Sequence, residues 1–508
     1  NTLLSLSLIL SISAFSQNFT EFIYNGNATL HDVEKAEYFE VDFLYSSGFV
    51  IQNSMAIPLI NKTDISGNLY WSKKIEIPDS QAMASDLCVV SEDEIYILCF
   101  GLMRMNGDGD IVFHKSIEST SSLNLRTIAK TPDNHLLVCG NPNDDVILLK
   151  FDTAGNLVNH VRLGTDRDET IRDISVDQEG NIVLVGASAP PFTNVNTKGL
   201  IIKLDQDLNL LWSKTIHRES DQDDDYFSNA SSCVNNGTNT ILVMEATGDI
   251  QPEVESSWQD IGIVNLNSLG EIESENMIDI GLYEQPTDLL RSSEGDLIVT
   301  GTVFTSPDEF YSSFVLSLDA QFQPIAANHH FKDSEELLMY SSAIITENPT
   351  RIATVGETTI NQNYKALQTH HSVESGLCSA YEMTATAYEP DFIIEDIVME
   401  TYEQELVISD LEFEVTNAFN GISANCSATL SDGLDSGSDE ISLFPNPCNQ
   451  NFQISGIYQL TPIRLTDVRG RIIKELSYHT GLIDISDLSQ GIYLVEVPGE
   501  KVLRLVKQ

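Results

Sequence analysis

Apolar and polar residues alternate in short runs along most of the chain, and the runs are broken by Asp, Asn, Gly or Pro. This period of two predicts half-buried β-strands joined by tight turns. One phrase returns: "KTDISGNLYWSKKI" at 62–75, "RMNGDGDIVFHKSI" at 104–117, "KFDTAGNLVNHVRL" at 150–163 and "KLDQDLNLLWSKTI" at 203–216. Each is an apolar-rich strand, a turn and a second strand. Gly67, Gly109, Gly155 and Gly270 stand where the turn needs positive φ. Trp71, Phe113 and Trp212 follow the turn and read as filling between units. A second hairpin precedes each phrase, as in "LCVVSEDEIYILCFG", "IAKTPDNHLLVCG", "ISVDQEGNIVLVG", "LRSSEGDLIVTG" and "AIITENPTRIATVG". No long amphipathic helical pattern interrupts them.

Four strands per unit, repeating every 42 to 62 residues or so, predict an all-β fold of β-propeller type. Seven units begin near Asp42, Ala84, Arg126, Ile171, Asn229, Asp288 and Ala343. The seventh lacks a clear final strand, and residues 19–24 ("FTEFIY") are expected to supply it and close the ring. The expected propeller spans 17–376. Residues 377–430 break the repeat but stay β-rich, and are expected to form a small sheet against it. Residues 431–440, "SDGLDSGSDE", read as a linker. Residues 441–508 read as a compact β-sandwich module.

Charge sharpens this division. The chain of 508 residues has 27 basic and 76 acidic side chains, a formal net charge of −49. Residues 441–508 hold seven basic and six acidic residues, so the excess lies upstream. Such a surface repels nucleic acid and anionic headgroups. The N-terminal "NTLLSLSLILSISAFSQ" has an apolar run too short to span a bilayer and small residues before Gln17. Residues 1–16 are therefore expected to be an N-terminally incomplete signal peptide, and no later run reads as a transmembrane segment. Of seven cysteines, Cys99 and Cys139 read as small core residues in equivalent strand positions, whereas Cys378 and Cys426 could pair in an oxidising compartment.

The last 68 residues carry four motifs in order: "LFPNP" (Phe444, Pro445, Asn446, Pro447), "DVRGRII" (Asp467, Gly470), "DLSQGIYLVEV" (Leu488, Gly491, Tyr493) and a basic end (Lys501, Lys507). This segment resembles a type A C-terminal sorting domain of the type IX secretion system of Bacteroidota. The resemblance implies export through the periplasm, recognition by the type IX machinery, and release or attachment to surface lipopolysaccharide. Cys448 departs from the pattern. The resemblance says nothing of what the upstream region does.

No GxSxG, HExxH, Walker A or dinucleotide fingerprint appears. Asp221, Asp223, Asp224 and Asp225 offer oxygen ligands to Ca²⁺, the alternative being solvated loop acids; Asn106, Asp108 and Asp110 fall on a hairpin turn, which favours the second reading. The tandem pairs His329–His330 and His370–His371 point to opposite strand faces and make a poor shared site. Long loops between second and third strands carry Phe192, Trp258, Phe310 and Tyr311, a composition that suits sugar or protein ligands or loop self-packing. The preferred reading is a non-catalytic binding or adhesion module for glycan or protein. A polysaccharide lyase or glycosidase and a surface-layer component are the alternatives.

Overall fold

A computed structural model of the chain describes residues 20–507, apart from 219–226, 248–258, 305–311, 331–337, 373–379, 427–441, 445–450 and stretches of five residues or fewer. Two compact units divide near Ala428 and Thr429.

The first unit is built, among the described residues, from seven five-stranded antiparallel sheets. Their first strands are Ala28–Tyr38, Ala84–Ser91, Leu123–Lys130, Asp168–Val176, Ser228–Asn236, Tyr283–Arg291 and Leu338–Glu347. Each of these strands packs against the next, and the seventh packs against the first, which makes a closed, propeller-like ring. Between neighbouring sheets lie dry clusters, such as Val183, Ile201, Leu242 and Val264, which hold the ring by apolar burial.

The first sheet starts earlier than the repeat pattern indicated. Its first strand is Ala28–Tyr38, and Asp42 belongs to the second strand, Val41–Gln52. In the seventh sheet, Thr20–Tyr24 is the fourth strand, hydrogen-bonded to Asn363–Ser372 on one side.

Residues 377–430 do not form a sheet of their own. They run around the ring against the direction of the sequence and add one outer strand to every sheet. Ala380–Glu382 joins the sixth sheet, Thr386–Tyr388 the fifth, Phe392–Asp396 the fourth, Glu400–Tyr402 the third, Leu406–Asp410 the second, Glu414–Asn417 the first and Ile422–Cys426 the seventh. Segments this short cannot stabilise one another as a separate sheet. Seven open sheet edges offer them ready partners. The belt also explains the Lys in the recurring phrase. Lys214 Nζ lies 2.6 Å from Asp396 and Lys115 Nζ 2.5 Å from Asp410.

The hairpin turns follow the residues that the sequence places there. Asp152 Oδ1 accepts the amides of Ala154 (3.0 Å) and Asn156 (2.8 Å), and Gly155 has φ of 80°. Asn106 Oδ1 is likewise occupied by the amides of Asp108 and Asp110, which makes "NGDGD" a turn; no metal-binding cluster occurs among the described residues. Two repeats put a large residue where the others put Gly: Leu208 (φ 68°) and Phe322 (φ 62°) are both buried. Their strain is offset by apolar burial between sheets. The aromatic after each turn rests on the next sheet's turn. Trp71 Nε1 donates to Gly107 O (2.9 Å) and Trp212 Nε1 to Ser268 O (3.0 Å).

The C-terminal unit has a three-stranded sheet (Ser442–Phe444, Asn451–Ser455, Ile483–Asp484) and a four-stranded one (Ile472–Tyr478, Thr461–Asp467, Gly491–Glu496, Val502–Lys507). Ile454, Ile463, Leu465, Ile485, Val495 and Leu505 form its core.

Candidate functional sites at the ring axis and in the C-terminal module

All seven first strands change register at or before their middle, between Leu30 and Asp32, Ala84 and Asp86, Leu125 and Thr127, Ile171 and Asp173, Ala230 and Ser232, Pro286 and Asp288, and Tyr340 and Ser342. A bulge brings two successive residues toward one side and re-aims them. Opposite it stands a glycine in five sheets: Gly48, Gly140, Gly186, Gly301 and Gly356. A Cβ at Gly186 would lie 1.9 Å from Thr170 O, and at Gly356 1.9 Å from Met339 O. The glycine that ends so many second strands is therefore the partner of the bulge. In the second sheet Cys99 occupies this place, so it aligns with Gly140 and not with Cys139.

The residue after each bulge laces one first strand to the next. Asp32 accepts the amide of Leu87 (3.0 Å), Asp86 that of Ile128 (2.7 Å), Asp173 that of Cys233 (2.9 Å) and Asp288 that of Ala343 (2.9 Å). Ser342 Oγ donates to Asp32 (2.7 Å), which links the seventh sheet to the first. Burial pushes the carboxyls of Asp86, Asp173 and Asp288 up. Asp288 rises to about 7, and Glu34 rises to about 8 through burial and the carboxylates of Asp32 and Asp288. Asp86 is raised well above the usual range by burial and by the adjoining Asp32. Their oxygens are engaged by backbone amides, so their first task is to hold the ring.

The bulge residues themselves form a second tier. His31 Nδ1 lies 3.1 Å from Ala84 O, and Ser85 Oγ donates to Leu125 O (3.4 Å). From the fourth sheet to the seventh, the equivalent residues Arg172, Ser231, Thr287 and Ser341 instead line a cavity of about 290 Å³. Asn229, Glu245, Gln285 and Thr302 complete its polar wall. Glu245 is buried, and Tyr283 Oη donates to it at 2.6 Å. Burial raises its pKa, while Tyr283, Arg172, Gln285 and Asn229 oppose the rise. Arg172 Nε donates to Asn229 Oδ1 (3.1 Å). Thr302 is 2% exposed and its hydroxyl has no partner. Glu245 and Thr302 stand near the ends of second strands Asn239–Thr247 and Leu297–Phe304. No spacing motif marks this cavity. Its signal is the polar residue one place after the position paired with the bulge, legible only once the register is known.

Of the loop aromatics, Phe192 is fully exposed with φ of 65°. Trp258, Phe310 and Tyr311 lie outside the described residues, as do Asp221, Asp223, Asp224, Asp225 and Cys378. Cys426 is placed as the strand partner of Glu21. His330 Nδ1 meets Tyr340 Oη (2.6 Å) and His370 Nε2 meets Thr346 Oγ1 (2.6 Å).

In the C-terminal unit Tyr493 is buried and its hydroxyl donates to Ser489 O (2.8 Å). Leu488 packs against the core, and Gly491 begins the strand that pairs with Val502–Lys507. Phe444 and Asp467 end their strands. Pro445, Asn446, Pro447, Cys448, Gly470 and Lys501 lie outside the described residues. Residues 442–508 match the family model described as a secretion system C-terminal sorting domain. The chain is thus a type IX secretion cargo with a sorting tail. The tail implies engagement by that machinery and secretion or cell-surface attachment. No helix among the described residues is long and apolar enough to cross a membrane.

No curated protein matches the chain. Among solved structures it is similar to PorZ, described as an essential bacterial surface component of the type-IX secretion system of Porphyromonas gingivalis. Identity is 10% and the TM-score 0.38, over 94% of this chain. The chain spans 59% of the length of that structure. It is also similar to Drosophila Plexin A in complex with Semaphorin 1b, at 7% identity and TM-score 0.31, over 74% of this chain and 87% of that one.

Proposed function

We propose that the ring is a non-catalytic binding module, delivered to the outside by its sorting tail, that takes a glycan at the axial cavity of its fourth to seventh sheets. The observation that carries this is the polar cavity of about 290 Å³, walled by Arg172, Asn229, Glu245 and Gln285. Its size is near the lower end for ligand sites, enough for a sugar-sized group. A glycosidase ordinarily needs two carboxyls flanking the bond. The cavity wall contributes one, Glu245, and the axial aspartates are engaged in lacing the strands. This favours binding over cleavage.

The test is a glycan array of the full chain, with and without Ca²⁺, beside Asn229→Ala/Gln285→Ala, with product masses recorded. Retention that the double variant loses is the expected result. Product formation would replace the module with an enzyme. Retention unchanged in the variant would move the site away from the cavity, and Ca²⁺-dependent retention would move it toward Asp221, Asp223, Asp224 and Asp225. Retention on a surface polysaccharide would extend the reading to adhesion or lipopolysaccharide attachment. Silence would favour a protein partner or a surface-layer role.

A further inference from the structure

The axial cavity carries more than general polarity. Cations are scarce in this chain, yet two arginines occupy equivalent bulge positions on adjacent first strands, Arg126 in the third sheet and Arg172 in the fourth. Both are exposed toward solvent. Among the described residues Arg126 has no ion pair or hydrogen bond, and Arg172 is bonded only through Nε to Asn229, which leaves its terminal nitrogens open. The two are close enough that Arg172, after partial burial, helps to push the Arg126 guanidinium down. The two like charges repel each other, and Glu245 in the cavity wall is the carboxyl that attracts Arg172. In the cavity wall with Arg172, the buried Thr302 hydroxyl has no partner, and Ser231, Thr287 and Ser341 add further hydroxyls.

We infer that the cavity, taken as the glycan site proposed above, selects a sugar bearing a carboxylate, a uronic acid residue. Its carboxylate lies against Arg172, with Arg126 on the adjacent first strand adding positive charge, and its hydroxyls against Thr302 and the neighbouring Ser and Thr side chains. A planar guanidinium matches a carboxylate through two parallel hydrogen bonds. Glu245 argues against a dianion. It sits in the same wall and would repel a phosphate monoester, with close to two charges, more strongly than a single carboxylate. A neutral sugar would leave the terminal nitrogens of Arg172 without a carboxylate to bind.

The experiment is calorimetric titration of the full chain with glucuronate, galacturonate, glucose and inorganic phosphate, repeated on Arg172→Ala, Arg126→Ala and Thr302→Val, with circular dichroism checking each fold. Binding of a uronate in preference to glucose, weakened roughly tenfold or more by Arg172→Ala and by rising salt, is expected. Thr302→Val should weaken uronate with little change in salt dependence. Glucose binding equal to uronate, lost in Thr302→Val but kept in Arg172→Ala, would keep the cavity as the ligand site and overturn the acidic class. Phosphate binding without uronate would also overturn it. Failure of every probe on a folded protein would overturn both the ligand class and the site.

Discussion

Replacing Gly186 by Ala tests whether the bulge and its glycine build the axis. The new Cβ would lie 1.9 Å from Thr170 O and 2.9 Å from the Ile171 Cα. Side-chain carbon and carbonyl oxygen tolerate no less than about 3.0 Å, so strands Asp168–Val176 and Ile182–Ala189 must part by about 1 Å. Overpacking of this kind costs about 1–3 kcal/mol. Stretching the neighbouring ladder bonds adds about 1 kcal/mol each. A loss of about 3 kcal/mol or more is expected in urea unfolding. Gly237→Ala is the control, because Gly237 has positive φ (67°) but nothing within 4 Å of its added Cβ. Strain alone should cost about 1–2 kcal/mol there. Hydrogen exchange should also quicken at the Ile171–Asp173 amides of the Gly186 variant before it does in other sheets. Equal losses for the two variants, or unchanged exchange at the bulge, would refute the argument.

Three other perturbations probe the ring. Asp288 and Glu34 titrate near 7 and 8, above their unfolded values, so the folded chain holds protons that the unfolded chain has already lost. Glu284, raised to about 9 by burial, extends the trend, so stability should fall as pH rises from about 5 to 9 in urea midpoints; a profile that rises over this window would contradict the axial placement. Trp212→Ala removes the bond to Ser268 O and the ring packed by Gly270, and should cost about 3 kcal/mol; a loss below about 1 kcal/mol would remove the aromatics from the account of sheet-to-sheet packing. Phe392→Ala empties the belt's anchor in the cluster with Val264 and Met244, and should let protease cut 380–426 before the ring's circular dichroism changes. Simultaneous loss of both signals would mean that belt and ring unfold as one.

The hairpins were legible because their determinants are local. Asp152, Asn156 and Gly155 set a turn through bonds that span four residues, and any copy of the phrase repeats them. Leu208 and Phe322 were not legible as left-handed residues, since only burial between sheets makes that conformation tolerable. The belt was hidden for a related reason. Glu400–Tyr402 has three residues and no partner nearby in sequence; its partner is Leu157–Gly164, placed beside it by the ring. The Arg126–Arg172 pair escaped because neither residue belongs to a motif. It exists only when two bulges align on neighbouring strands.

The belt also fixes where the chain can be cut without harm. Its last strand, Ile422–Cys426, pairs with Thr20–Tyr24, which pairs in turn with Asn363–Ser372. The strand at the start of the described chain is therefore clamped between two later ones, and the seventh sheet is complete only when both have docked. Pairings of such long sequence separation form late, since closing large loops precedes any gain from the contact. The break between the two compact units falls just after Cys426, at Ala428 and Thr429. A cut within 431–440 removes the sorting unit and leaves every outer strand of the ring in place. A cut before Ile422 instead exposes an edge of Thr20–Tyr24, the strand that completes the seventh sheet. The break between the two units thus allows export and ring stability to be separated, because the sorting tail begins only after the last described belt strand has been supplied.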